Sequence, residues 1–158
     1  DSHPQIHICS LGTAREIYHS TYDGVITIED SFVDEPLRIN HADCPQLVLC
    51  FDDIASPKDD WVLPSKKHIQ SALNFADELN GSSLLIHCHA GISRSSAIAL
   101  AIIAKGLSAG KEKQACIELE KVNPNSAPNA LVVRLADEIL ERGGALDKMA
   151  KSIAKLTG

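Results

Sequence analysis

The stretch Leu84-Leu85-Ile86-His87-Cys88-His89-Ala90-Gly91-Ile92-Ser93-Arg94-Ser95-Ser96 constrains the fold more than any other part of the chain. It opens on an apolar run, Leu84 to Ile86, with the length and residue types of a buried strand. It closes into Ala97 to Ala104, an unbroken apolar run rich in helix formers. A strand that turns tightly into a helix aims backbone N–H groups and the positive end of the helix dipole at one point. Such a turn holds anions. Cys88 opens it, and Arg94 stands at the helix start. Gly91 permits a backbone conformation, or a close approach, that a side chain would block.

Only the thiolate of a cysteine is a strong nucleophile, and an unperturbed thiol titrates at about 8.5. A helix N-terminus and a nearby guanidinium lower that value to roughly 3.5–7.5 in general. An arginine fork matches two phosphate oxygens at once, which lysine cannot do. Cys88, the loop amides and Arg94 therefore read as a nucleophile facing a bound phosphate.

The pattern His87-Cys88-x-x-Gly91-x-x-Arg94-Ser95 resembles the H-C-x-x-G-x-x-R-S/T loop of the cysteine-dependent protein phosphatases. The run Ala90 to Ser95 is most similar to their dual-specificity branch. The resemblance implies that Cys88 is the catalytic nucleophile. It implies that Arg94 and the backbone of His89, Ala90, Gly91, Ile92 and Ser93 bind the phosphate. The Ser95 hydroxyl would assist departure of the sulfur, or else merely begin the helix. His87 would orient and tune the cysteine, or else serve as a core histidine. His89 occupies a variable position, where packing or solvation is the simpler role.

Residues 5–11 alternate and read as a strand, and residues 13–18 as a short helix. Residues 24–28 and 46–51 are β-rich and read as strands, with an edge strand over 36–39 and a loop over 40–45. Ser65 is a plausible N-cap for a helix over 66–80. Further helices are expected from Arg94, over 111–122, from Pro128 to about Arg142, and over 145–156. Early strand–helix alternation followed by helices predicts an α/β fold. Its central sheet is mainly parallel, with four to five strands and helices on both faces, as in dual-specificity phosphatases. One domain over 1–158 is expected, with a core at about 5–142 and an extra C-terminal helix at 145–157. That helix places Leu146, Met149, Ile153 and Leu156 on one face. Packing on the domain is the simpler reading, and a partner or membrane-surface helix the sharper one.

Cleaving a phosphate ester calls for a proton on the leaving oxygen. The resemblance places an aspartic acid on a loop after a strand, some thirty residues before the cysteine. The segment Phe51-Asp52-Asp53-Ile54 fits, and an F-x-D alignment gives Asp53, 35 residues ahead of Cys88. Asp52 is the alternative acid. In the family a late Pro-Asn turn often buttresses the phosphate loop. The segment 123–129 resembles it, with Asn129 either as that contact or as a helix cap.

No metal-ligand spacing is present, so neither a metal nor another cofactor is expected. The five cysteines form no CxxC pair and no disulfide framework, which fits a reducing compartment. Cys50, ending a neighbouring strand, or Cys44 could resolve an oxidised Cys88. Net charge is −6, which gives no case for nucleic acid or an anionic membrane. The longest apolar run falls far short of the roughly 20 residues that span a bilayer. No charged-then-apolar leader is seen, and a cytoplasmic monomer is expected. Lipid-directed relatives carry lysines at the first and fourth positions after the cysteine. Here these are His89 and Ile92, which argues against highly phosphorylated inositides. The expected substrate is a phosphorylated protein or peptide carrying phosphotyrosine, with phosphoserine and phosphothreonine also in view. Inositol phosphate or RNA 5′-phosphate hydrolysis is the alternative, and a phospho-binding module a more distant one.

Overall fold

The computed structural model describes residues 3–16, 22–32, 44–79 and 82–153. In chain order the elements are β1 (Gln5–Ser10), α1 (Leu11–Glu16), β2 (Gly24–Glu29), β3 (Gln46–Cys50), α2 (Lys66–Leu79), β4 (Ser83–Cys88), α3 (Arg94–Gly106), α4 (Glu112–Val122), α5 (Ala130–Ile139) and α6 (Ala145–Ile153). The described strands form one sheet in the order β1-β4-β2-β3, with every pairing parallel. The expected edge strand at 36–39 and most of the loop at 40–45 lie outside the described residues. So do the last residues expected for the helices at 13–18, 66–80 and 145–156.

Sequence explains the strand order. β4 and β2 hold the two interior positions, and both are near-continuous apolar runs rather than alternating ones. That is the composition of a parallel strand covered on both faces. Ile6, Ile26, Ile28, Leu84 and Ile86 share one core with residues of α2 to α6. Val25 and Leu85, at the intervening positions, are buried outside that core, and α1 packs against β1 and β4 with Ala14 fully buried. Among the described residues, α2, α3 and α4 pack on one face, with α5 and α6 completing that core, and α1 packs on the other face.

Register brings the chemistry together. Ser10 lies opposite Cys88, and Thr27 opposite His87, while Glu29 lies opposite Cys50. The carboxyl ends of all four strands thus reach one edge, which is where ligands bind in open parallel sheets. Cys88 ends β4 there, and Asp30 and the Asp52-Asp53 pair follow β2 and β3. α3 begins at the same edge and is buried along nearly its whole length, from Arg94 to Ala104. A helix apolar all round belongs in a core.

Several boundaries differ from the sequence reading by one to three residues: α1 begins at Leu11 rather than at residue 13, taking Leu11 from β1, and α5 begins at Ala130 rather than Pro128. α5 ends at Ile139 rather than near Arg142, because Glu141 adopts φ 55° and turns the chain out of the helix. α4 begins at Glu112 with Lys111 as its N-terminal neighbour. α6 packs on the domain as the simpler reading had it: Leu146 and Ala150 are buried, and the Asp137 carboxylate of α5 accepts hydrogen bonds from the amides of Gly144, Leu146 and Asp147 at 2.8, 2.7 and 3.0 Å. No helix among the described residues is long and apolar enough to cross a membrane.

Candidate active site

A hollow of about 310 Å³ opens at the carboxyl edge of the sheet. Its wall is Cys88 and most of the loop to Arg94, with Asp30 and Asp53 from neighbouring loops. Cys88 and Arg94 therefore do share one cavity, with a carboxylate beside them.

Cys88 is buried at the end of β4. The Gly91 amide donates to its Sγ at 3.2 Å, and the Ser95 Oγ lies 3.1 Å from the same sulfur. Ser95 is itself buried at the start of α3, so its hydroxyl is held against the sulfur rather than left to solvent. Gly91 has φ +75°, and a Cβ there would stand 2.6 Å from the Cys9 carbonyl carbon. Both the conformation and the approach to β1 require glycine.

The turn at 123–129 grips the loop between Cys88 and Arg94 by its carbonyls. Asn123 Nδ2 donates to Gly91 O at 2.9 Å, the Ala127 amide to Ile92 O at 3.0 Å, and the Asn129 amide to Ser93 O at 3.1 Å. In a planar trans peptide the N–H points opposite to the C=O. Drawing these carbonyls outward turns the amides of Ile92, Ser93 and Arg94 the other way, which is what an anion cradle needs.

The two candidate acids separate cleanly. Asp52 is buried and accepts from the Ser31 amide at 2.9 Å, the Ser31 hydroxyl and the Val62 amide at 2.8 Å. Burial pushes its carboxyl up, but the Ser31 hydroxyl, the two amides and the Arg94 charge outweigh that and hold it below the usual carboxylate range. Asp52 is thus an anchor joining two loops. Asp53 is exposed on the hollow, and both its hydrogen bonds fall on Oδ1: Ser93 Oγ at 2.7 Å and Asn129 Nδ2 at 2.8 Å. Its Oδ2 takes part in neither. Asn129 plays both roles considered for it, since its Oδ1 also caps α5 by accepting from the Val132 amide at 3.0 Å.

Arg94 is buried; its Nη1 donates to Phe51 O at 2.9 Å and forms an ion pair with Asp30 Oδ1 at 2.6 Å. His87 is fully buried in the sheet, with its Nε2 2.8 Å from Thr27 Oγ1, which in turn accepts from Gln46 Nε2 at 2.8 Å. His89 is exposed on the wall of the hollow, as is Ala90, and Ile92 is largely so. Sequence reasoning did not assign Asp30, Thr27 or Gln46, whose roles arise from strand pairing rather than from local pattern. Cys9 is half-buried near Cys88. Burial, and then the nearby Cys88, push its thiol up to about 11, whereas Cys50 is exposed among Glu29, Asp52 and Asp30.

This fold is that of the small cysteine-dependent phosphatases. Similar solved structures include human DUSP28, at 16% identity and TM-score 0.64 over 90% of this chain and 95% of that one. PTPMT1 is similar at 19% identity and TM-score 0.63, over 90% and 98%. DUSP15 is similar at 20% identity and TM-score 0.62, over 98% and 95%. No protein-family model matches the sequence, and no curated protein sequence does.

Proposed function

We propose that this chain is a cysteine-dependent phosphatase that hydrolyses phosphotyrosine in proteins or peptides, with phosphoserine and phosphothreonine as further candidates. One observation carries the reading: Cys88, Arg94 and Asp53 line a single hollow, with Ser95 against the sulfur. In the first step the Cys88 thiolate attacks phosphorus in line, forming the S–P bond as the ester P–O bond breaks. Asp53 gives its proton to the leaving oxygen. Arg94 and the loop amides hold the three equatorial oxygens, over which charge is spread in the transition state. In the second step Asp53, now a carboxylate, takes a proton from water as that water attacks phosphorus. The S–P bond breaks, the Ser95 hydroxyl stabilises the departing sulfur, and inorganic phosphate is released.

The test is turnover of p-nitrophenyl phosphate by the native protein and by Cys88→Ser. Hydrolysis that vanishes in the variant supports the reading. Absence of hydrolysis by the native protein, or equal rates in both, overturns it. A second reading, a non-protein phosphomonoester substrate, is favoured by the similarity to PTPMT1, which has also been solved in complex with PI(5)P. Against it stand His89 and Ile92, where basic residues would help to hold further phosphates. Comparing phosphotyrosine peptides with inositol phosphates and RNA 5′-phosphates decides between the two.

A further inference from the structure

Resting on that reading, we propose that Asp30 positions the Arg94 fork and filters substrates by charge, admitting a single phosphomonoester and rejecting polyphosphates. Asp30 follows β2, the strand beside β4, so parallel register delivers it to the rim of the Cys88 loop. Its Oδ1 lies 2.6 Å from Arg94 Nη1, and the Phe51 carbonyl takes a second bond from the same nitrogen at 2.9 Å. Both contacts fall on Nη1. The edge formed by Nε and Nη2 is what remains for two phosphate oxygens, and a planar guanidinium held by one edge presents the other in a fixed direction. The Asp30 side chain is 38% exposed while that of Arg94 is 6% exposed, so the carboxylate sits at the mouth and the guanidinium beneath it.

Charge gives the second half. Among the described residues the wall of the hollow carries the carboxyl groups of Asp30 and Asp53 beside the Arg94 guanidinium and the His89 imidazole, and with Asp53 holding the proton it donates, Asp30 is the anion at the mouth. One phosphate bound at the free edge of Arg94 keeps its cation. Any further phosphate of the same substrate must lie nearer the mouth, where Asp30 stands and where His89 and Ile92 supply no compensating ammonium. Like charges at such separations repel strongly when partly shielded from water. An aryl or alkyl monophosphate avoids that repulsion.

Two variants separate the roles. Asp30→Asn keeps an oxygen acceptor for Nη1 and removes the charge; Asp30→Ala removes both. Inorganic phosphate and tripolyphosphate are measured as competitive inhibitors of p-nitrophenyl phosphate turnover, and their binding is measured by calorimetry. Asp30→Asn should tighten tripolyphosphate about tenfold and inorganic phosphate only about threefold. Asp30→Ala should lower kcat about tenfold or more below that of Asp30→Asn, since a freed fork loses its aim. Equal changes for the two anions, or none, overturn the filter. Equal kcat in the two variants overturns the positioning role. Native protein that does not hydrolyse p-nitrophenyl phosphate overturns the phosphatase reading instead, and calorimetry still decides the filter. Thermal melting of both variants confirms that the fold is intact.

Discussion

Adjacent aspartates with opposite fates show what a single residue's surroundings decide. Asp53 is exposed on the hollow with Oδ2 unclaimed by its two hydrogen bonds, while Asp52 is wrapped by three donors. Asp53→Asn should therefore lower kcat by about 10²–10⁴-fold on a phosphotyrosine peptide. The loss should be smaller on p-nitrophenyl phosphate, whose leaving group needs less protonation. Steady-state kinetics on both substrates checks this; a loss independent of leaving group would remove Asp53 as the acid. Asp52→Asn should instead destabilise the fold by about 2 kcal/mol at pH 7, the scale of hydrogen bonds to a charged group. Because its folded carboxyl lies below the unfolded value of about 3.9, Asp52 contributes stability that is fully present above that value and lost as pH falls through the folded one. Melting curves of native and Asp52→Asn protein should lie apart at pH 7 and converge as pH falls below the usual carboxylate range. The sequence placed an acid in the Asp52-Asp53 pair, and the F-x-D alignment chose Asp53. The different surroundings of the two aspartates could not be read there, since the donors to Asp52 come from Ser31 and Val62 on separate loops.

At the scale of elements, β4, the phosphate loop and α3 were legible because each is local: an apolar run, a glycine turn and a helix-forming stretch in sequence. The grip of residues 123–129 on that loop was legible only as a turn, because its bonds to Gly91, Ile92 and Ser93 span more than thirty residues. Asn129 joins these scales, capping α5 through Oδ1 and holding Asp53 through Nδ2. Asn129→Ala should cost about 1 kcal/mol from the lost cap. Asn129→Ser retains a good capping oxygen but has no amide to reach Asp53, so it should melt closer to the native protein. Both should lower kcat alike, by about tenfold, because both free the acid from its tether. Melting temperature and kcat measured together test this. A kcat loss that tracks melting temperature would make Asn129 a cap and nothing more.

Across the whole molecule, α3 is the axis between the site and the far side of the core. Thirteen residues make it roughly 20 Å long. Its N-terminus carries Arg94 and meets the loop that follows Cys88. At its C-terminus Arg142 Nη2 donates to the Ala104 and Leu107 carbonyls at 2.5 and 2.7 Å, while Nη1 pairs with Glu112 Oε2 at 2.6 Å. The last carbonyls of a helix lack intrahelical partners and carry its negative end, so a guanidinium there satisfies both needs. The pair is buried, with side-chain exposures of 6% and 7%, so removing one partner leaves an uncompensated charge. Arg142→Met should therefore cost about 3–5 kcal/mol. Adding Glu112→Leu should recover much of that loss, since the buried charge goes with it. The distant N-terminus of α3 is held independently by the sheet and the 123–129 turn, so KM for p-nitrophenyl phosphate at 25 °C should stay within about twofold while the protein remains folded. Urea unfolding and steady-state kinetics on the two variants check both halves. A KM that rises in step with the loss of stability would mean that the phosphate cradle depends on the far end of α3, and that the site is not anchored by its own loop contacts.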